Sequence, residues 1–269
     1  VGSVSANTGI ILALSLFFLP VAIKREEYLF KNSLYIGTLL LLLISFKDRI
    51  FDRADCLLLL LAGILFLVEN VKNAVCKKEL SNSKRKKEDV ILHKKIQAGK
   101  NGEKKVKNKR SKWKEKQSSI WETFFWFCIG AVCIVAGSEL LVHSACKIAE
   151  ILHISEDIIS VTIVAMGTSL PELVTTVTAI LKKESSLSVG NIIGANMIDS
   201  AFILPICTLL SGEKLPVSLQ MAQIDMPLCI LISVLALLPM LIRQKIKRRD
   251  GILVFSIYAG YLLYICWAI

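Results

Sequence analysis

Apolar runs of about membrane length alternate along this chain with short charged turns. Residues 1–19 form a first span, closed by Lys24, Arg25, Glu26 and Glu27, and a second covers about 33–46. A third, 55–76, is entered through the charged stretch IFDRAD. The Lys-rich segment 77–118 has no apolar period and little reason to fold by itself. The pattern then predicts a long helix over 119–152, amphipathic in its final third, and a broken span over 156–181 with Ser155 as N-cap before Glu156 and Asp157. Spans at about 187–210, 217–242 and 251–268 complete an all-α polytopic membrane protein of about eight transmembrane helices.

Composition supports this reading and relocates the charge. The chain has 269 residues, of which 54% are hydrophobic, and a mean hydropathy of +0.59, too apolar for an ordinary soluble domain. A net charge of +11 suggests nucleic acid until it is located. Residues 77–116 hold 17 Lys or Arg against 5 Asp or Glu, a surplus of 12, so the remainder is at −1 and no nucleic-acid partner is expected. The eight cysteines show no CxxC spacing and read as packing residues. The start at Val1, without a charged n-region, reads as carrying no signal peptide.

The candidate chemistry lies in the stretch from Thr162 to Asp199. Thr168, Ser169, Pro171 and Glu172 interrupt one apolar segment, and Gly190, Asn191, Gly194, Asn196 and Asp199 interrupt the next. A carboxylate at membrane depth costs about 2.5–3.5 kcal/mol, which makes Glu172 a functional candidate by default. Pro171 lacks an amide proton and its ring opposes the carbonyl of Gly167, so a kink with free carbonyls is expected beside Glu172. Ala165, Thr168, Ser169 and Glu172 fall three, four or seven apart, on one helical face. The glycines Gly190 and Gly194 are expected to let helices approach closely. Carboxylates, hydroxyls, amides and loosened carbonyls, with no sulfur or imidazole, suit hard cations such as Ca²⁺ and Na⁺ and match zinc or copper poorly.

GTSLPE at Gly167 to Glu172, followed by GNIIGANMID at Gly190 to Asp199, resembles the second alpha-repeat of the sodium/calcium exchanger family, within the cation/calcium antiporters. The likeness covers about Gly137 to Asp199 well and the flanking spans more loosely. An internal echo agrees with it. Val1-Gly2-Ser3 followed by Asn7 matches Ile193-Gly194-Ala195 followed by Asp199, and Asp55 in the third span stands opposite Asp250 in the last. Three spans before the basic segment thus echo the last three, and an odd number per unit gives an inverted repeat. The resemblance implies five spans per half, so the chain is expected to be truncated at its N-terminus, a remnant of a five-plus-five fold. On this reading 1–76 is a partial first half of three spans, 77–118 a basic cytoplasmic loop, and 119–269 a complete second half with its alpha-repeat at about 137–210.

For the site, the resemblance implies Glu172 as a principal ligand shared by Ca²⁺ and Na⁺ and Asp199 as its partner. Thr168 and Ser169 would give hydroxyls, Ala165 a backbone carbonyl, Ser3 a hydroxyl and Asn7 an amide, with Asn196 in the matching second-repeat set. Back-bonding of either hydroxyl to the preceding turn stays open for Thr168 and Ser169. Ala195 stands where the family often has a hydroxyl, and Val4 where an Asn usually follows Gly-Ser. Glu139 matches an acidic family position or is a solvated acid near a boundary, while His143 and His153 read as interfacial polar residues.

The implied activity is antiport of Ca²⁺ against Na⁺, with these ions as cargo and no resident cofactor, in a transporter rather than an enzyme. Three alternatives remain open: H⁺ or K⁺ as the coupling ion, a non-transporting truncated membrane protein, and an intramembrane hydrolase using Ser169, which has no nearby His or Lys to activate it. Strict alternation puts every strongly basic loop on one side, which places a multi-pass cell-membrane protein with 77–118 in the cytoplasm and the C-terminus outside. The 77–118 loop is expected either to contact anionic lipid headgroups or to act as an unstructured tether.

Overall fold

The computed structural model describes residues 1–18, 25–97, 120–152, 162, 164–183, 185–212, 214–244 and 247–268. In chain order, α1 (Gly2–Ala6) leads through a π turn at Asn7–Leu12 into α2 (Ala13–Phe18), followed by α3 (Arg25–Ser45), β1 (Ile50–Phe51) and α4 (Arg53–Gln97). Next come α5 (Ile120–Ile151), the short α6 (Ala165–Thr168), α7 (Leu170–Leu181) and α8 (Ser185–Ile198). A second π turn at Asp199–Ile203 joins α8 to α9 (Leu204–Ser211), then β2 (Leu215–Pro216), a third π turn at Met221–Asp225, α10 (Met226–Arg243) and α11 (Arg248–Ala268).

Among the described residues, six helical stretches are long and apolar enough to cross a membrane: Tyr28–Ser45, Arg53–Cys76, Trp121–Ile151, Ser188–Ser211, Met221–Arg243 and Arg248–Trp267. The other two expected spans are shorter apolar helices, Gly2–Phe18 and Leu170–Leu181. The second of these is shortened by a break at Ser169, where the sequence is most polar. The protein is therefore a polytopic all-α membrane protein whose broken helix carries the polar motif. Lipid tolerates such a break only where protein or a wet cavity covers it.

The chain forms two compact units, one of Val1–Phe66 with Ile134–Ile269 and the other Leu67–Cys133. In the second unit α4 continues through the basic segment as far as Gln97, so the expected loop start at 77 is helical. A helix that is already nucleated extends at little cost through Lys, Glu and Arg, which are good helix formers. His153 and the expected Ser155 cap lie outside the described residues.

In the first unit α2 packs on α11, α3 on α10, and α8 on α7. Its core includes Leu12, Leu16, Tyr35, Leu39, Ile192, Met197, Ile232 and Tyr258. Between helices in lipid, van der Waals fit and hydrogen bonds carry the association. Close approach comes at other glycines than expected: a Cβ on Gly9 would collide with the Tyr258 ring and one on Gly167 with Val142, whereas Gly190 and Gly194 face open space. One antiparallel clasp pairs Ile50 with Pro216 and Phe51 with Leu215.

The sequence echo has structural form. Asn7 and Asp199 each open a π turn. Asp55 and Asp250 each sit in the first turn of a helix and reach back three residues, accepting the backbone N–H of Asp52 at 3.1 Å and of Lys247 at 2.9 Å. This is the reciprocal half of a capping box, used twice. At the first of these entries Asp52 in turn accepts the N–H of Ala54 and of Asp55. The Asp55 amide, foremost, holds the Asp52 carboxyl below its usual range.

Candidate functional site

The break at Ser169 sets up the site. Thr168 ends α6, and α7 begins with Pro171 in its first turn, where a missing amide proton costs nothing. The kink therefore falls two residues before the proline. Glu172 follows within the first turn of α7, where the positive end of the helix dipole favours a carboxylate. Asp199 opens the second π turn, an irregularity that recurs at functional positions in helices.

Glu172, Asp199, Thr168 and Ser3 line one cavity of about 450 Å³, together with Ser200, and with Val4, Leu39 and Met226 among its apolar walls. Ser3 Oγ donates to Asp199 Oδ2 at 2.9 Å. Glu172 Oε2 is buried and has no hydrogen-bond partner among the described residues. A buried carboxylate oxygen left without a donor is a costly arrangement that a bound cation relieves.

The two hydroxyls of the GTS motif take the back-bonded alternative. Thr168 Oγ1 donates to the Val164 and Ala165 carbonyls at 3.0 and 3.1 Å. Ser169 Oγ donates to the Ala165 carbonyl at 2.9 Å and lies 3.5 Å from Ser3 Oγ. The Ala165 carbonyl thus already serves two hydroxyls. Back-bonding of this kind accompanies bent helices, and here it falls at the break.

Asn7 and Asn196 belong to a second, fully buried network beside the cavity. Asn7 Nδ2 donates to Asn196 Oδ1 at 3.0 Å, and Asn196 Nδ2 donates to Thr8 Oγ1 and to Tyr35 Oη, each at 3.0 Å. Tyr35 Oη lies 3.0 Å from Ser233 Oγ. Asn196 has its oxygen and its amide nitrogen engaged, whereas Asn7 Oδ1 has no partner among the described residues. Thr8, Tyr35, Ser200 and Ser233 are participants that the motif reading missed. Thr8 and Ser200 adjoin motif residues and could have been found from that adjacency, but Tyr35 and Ser233 come from helices with no motif.

A wider cavity of about 910 Å³ adjoins the site, with Ser138, Glu139, His143 and Cys146 of α5 facing Gly167, Thr168 and Pro171. Glu139 and His143 lie one helical turn apart on the same face of α5.

Comparison with known proteins bears on family and fold. The family model of the sodium/calcium exchanger protein matches residues 122–267. The chain is 33% identical over 145 residues to the putative antiporter CaxA of Alkalimonas amylolytica, covering 52% of this chain and 44% of that protein. It is 34% identical over 141 residues to the sodium/calcium exchanger MaX1 of Methanosarcina acetivorans, covering 52% and 39% respectively. These matches thus span less than half the length of either relative. Among solved structures, the sodium-calcium exchanger NCX_Mj soaked with 2.5 mM Na⁺ and 0.1 mM Ca²⁺ superimposes with a TM-score of 0.68 at 26% identity, covering 98% of this chain and 73% of that one.

Proposed function

Since this chain belongs to the sodium/calcium exchanger family, we propose that it serves antiport of Ca²⁺ against Na⁺ across a membrane, with Glu172 and Asp199 as the charged ligands. The observation that carries the reading is the convergence of both carboxylates, from two different helices, on one cavity that also receives the Ser3 and Thr168 hydroxyls. Two carboxylates balance one Ca²⁺ or two Na⁺, and a set of this size does not hold both loads together, so each ion displaces the other. Competition for the same oxygens couples the two fluxes.

The remaining ligands follow from the bonds they now make. Thr168 and Ser169 turn from the Val164 and Ala165 carbonyls toward the cargo, which frees the Ala165 carbonyl as a further oxygen. Asn7 contributes its unpartnered Oδ1, and Asn196 acts by holding Asn7 through its amide. Ala195 brings no oxygen of its own, and Val4 adds an apolar wall. The protein acts as a transporter, and the basic segment 77–118 lies on the cytoplasmic side with the C-terminus opposite, as the distribution of Lys and Arg supports.

Glu172→Gln keeps the shape and removes the charge. It is expected to abolish Na⁺-dependent Ca²⁺ uptake into vesicles, and unchanged uptake would refute the assignment. Imposing Na⁺, K⁺ and H⁺ gradients one at a time identifies the coupling ion.

A further inference from the structure

Three threonines follow Glu172 in α7, and one of them behaves differently. Thr175 and Thr178 donate to backbone carbonyls of their own helix, at Glu172 and Val174, over 2.9 and 2.8 Å. Thr176 is completely buried, and its hydroxyl has no partner among the described residues. A hydroxyl that forgoes the carbonyl of its own helix in a dry interior lacks something that is normally supplied from outside the helix.

Its position explains what is lacking. The segment α1–π turn–α2 runs antiparallel to α8 and the second π turn, and polar pairs join them like rungs: Ser3 with Asp199 at 2.9 Å, Asn7 with Asn196 at 3.0 Å and Ser15 with Ser188 at 2.7 Å. The rung due between the last two is apolar, since Ile11 and Ile192 occupy it and both are buried. On the third side, α6 packs on α1 while α7 packs on the π turn and then on α2, so these segments run in the same direction. Ser3 meets Ser169, and seven residues further along each lie Ile10 and Thr176. The unpartnered hydroxyl therefore arrives at the level of the missing rung, between the carboxylate cavity and the Ser15–Ser188 pair.

Three other buried side-chain oxygens have no donor among the described residues, Glu172 Oε2, Asn7 Oδ1 and Asn32 Oδ1. Glu172, one turn before Thr176, lines the cavity, and Asn7 lies one turn before Ile10 and Ile11. We propose that Thr176 forms a station for a desolvated monovalent cation, Na⁺ in the exchange described above, in a polar file leading from the cavity toward the Lys182–Lys183 end of α7. One carboxylate with neutral amide and hydroxyl oxygens compensates a single charge. A dehydrated Ca²⁺ requires more negative charge and stays at the Glu172–Asp199 cavity. This inference rests on the exchanger reading and extends it to the path of one ion.

The test uses the whole chain with Thr176→Val, which keeps shape and removes the oxygen, and Thr176→Ser, which keeps the oxygen. Thr176→Val is expected to raise the Na⁺ concentration for half-maximal exchange about five-fold, the loss of one oxygen contact, and to weaken the Na⁺-induced rise in melting temperature in detergent. Half-saturation by Ca²⁺ stays within about two-fold, and Thr176→Ser restores wild-type Na⁺ dependence. In Na⁺-free buffer Thr176→Val should melt no lower than wild type, because an unpaired hydroxyl is being removed. Should Thr176→Val not fold, Thr176→Ala takes its place. Unchanged Na⁺ dependence in both assays, or an equal weakening of Ca²⁺, overturns the station. A silent Thr176→Val beside an inactive Glu172→Gln refutes the station alone, whereas an active Glu172→Gln refutes the exchanger reading and the station with it.

Discussion

The two π turns at Asn7 and Asp199 use one backbone device for opposite ends. Each is opened by a polar residue, and Ser3, one turn before Asn7, reaches across to Asp199. Around Asn7 the polar groups are mostly spent on each other, in a buried chain through Asn196, Thr8, Tyr35 and Ser233 that locks the first π turn, α3, α8 and α10 together. Around Asp199 the carboxylate receives one hydroxyl and otherwise faces a cavity. The same bend occurs twice, with an amide opening the copy that is mostly framework and a carboxylate opening the copy that faces a cavity.

The largest expected effect is on the open copy. Asp199→Ala should lower Ca²⁺ uptake by at least roughly 30-fold, from the 2–3 kcal/mol typical of a lost contact to a charged group, without a comparable fall in melting temperature. The framework copy should respond the other way round. Asn196→Ala strands Asn7 and takes one partner each from Thr8 and Tyr35, and should cost about 2–3 kcal/mol of stability, read from thermal melting in detergent. If Asn196→Ala instead spared stability and abolished Ca²⁺ binding, the division between framework and site would be wrong.

Smaller effects sharpen the comparison of the packing around the two turns. Gly9, inside the first π turn, lies against Tyr258, so Gly9→Ala should destabilise by about 1–3 kcal/mol through overpacking. Gly190→Ala, facing open space within a helix, should be neutral or stabilising by up to about 1 kcal/mol. At the helix entries, Asp55→Ala and Asp250→Ala each remove a capping acceptor and should cost about 1 kcal/mol. The loss should be greater for Asp250, whose second partner is the Arg243 cation at 3.0 Å, than for Asp55, whose second partner is the neutral Ser45 hydroxyl at 2.6 Å. Hydrogen exchange at the first turns of α4 and α11 measures the difference.

Much of this was legible in the sequence because lipid is an unforgiving solvent. A polar side chain in an apolar span needs a reason, so Glu172 and Asp199 stood out before any geometry was known, and the polytopic all-α fold followed from the lengths of the apolar runs. What stayed hidden depends on direction in space. Spacing shows that Thr168 and Ser169 share a face but not that both hydroxyls point back at Ala165. It offers Gly190 and Gly194 as contact points as readily as Gly9 and Gly167, since a missing side chain says nothing about which neighbour approaches. Tyr35 is an ordinary aromatic until Asn196 is found beside it. The helix through the basic segment to Gln97 was missed because a segment judged by its own composition was in fact the continuation of a neighbour's helix.

The π turns carry one more implication, for how the gene can vary. Each holds one residue more than the regular coil it interrupts, so deleting a residue there restores ordinary winding and keeps the downstream helix in phase. The same deletion a few positions away would swing every later side chain by about 100°. Length changes in these helices should therefore be survivable at Asn7–Leu12, Asp199–Ile203 and Met221–Asp225 and ruinous between them.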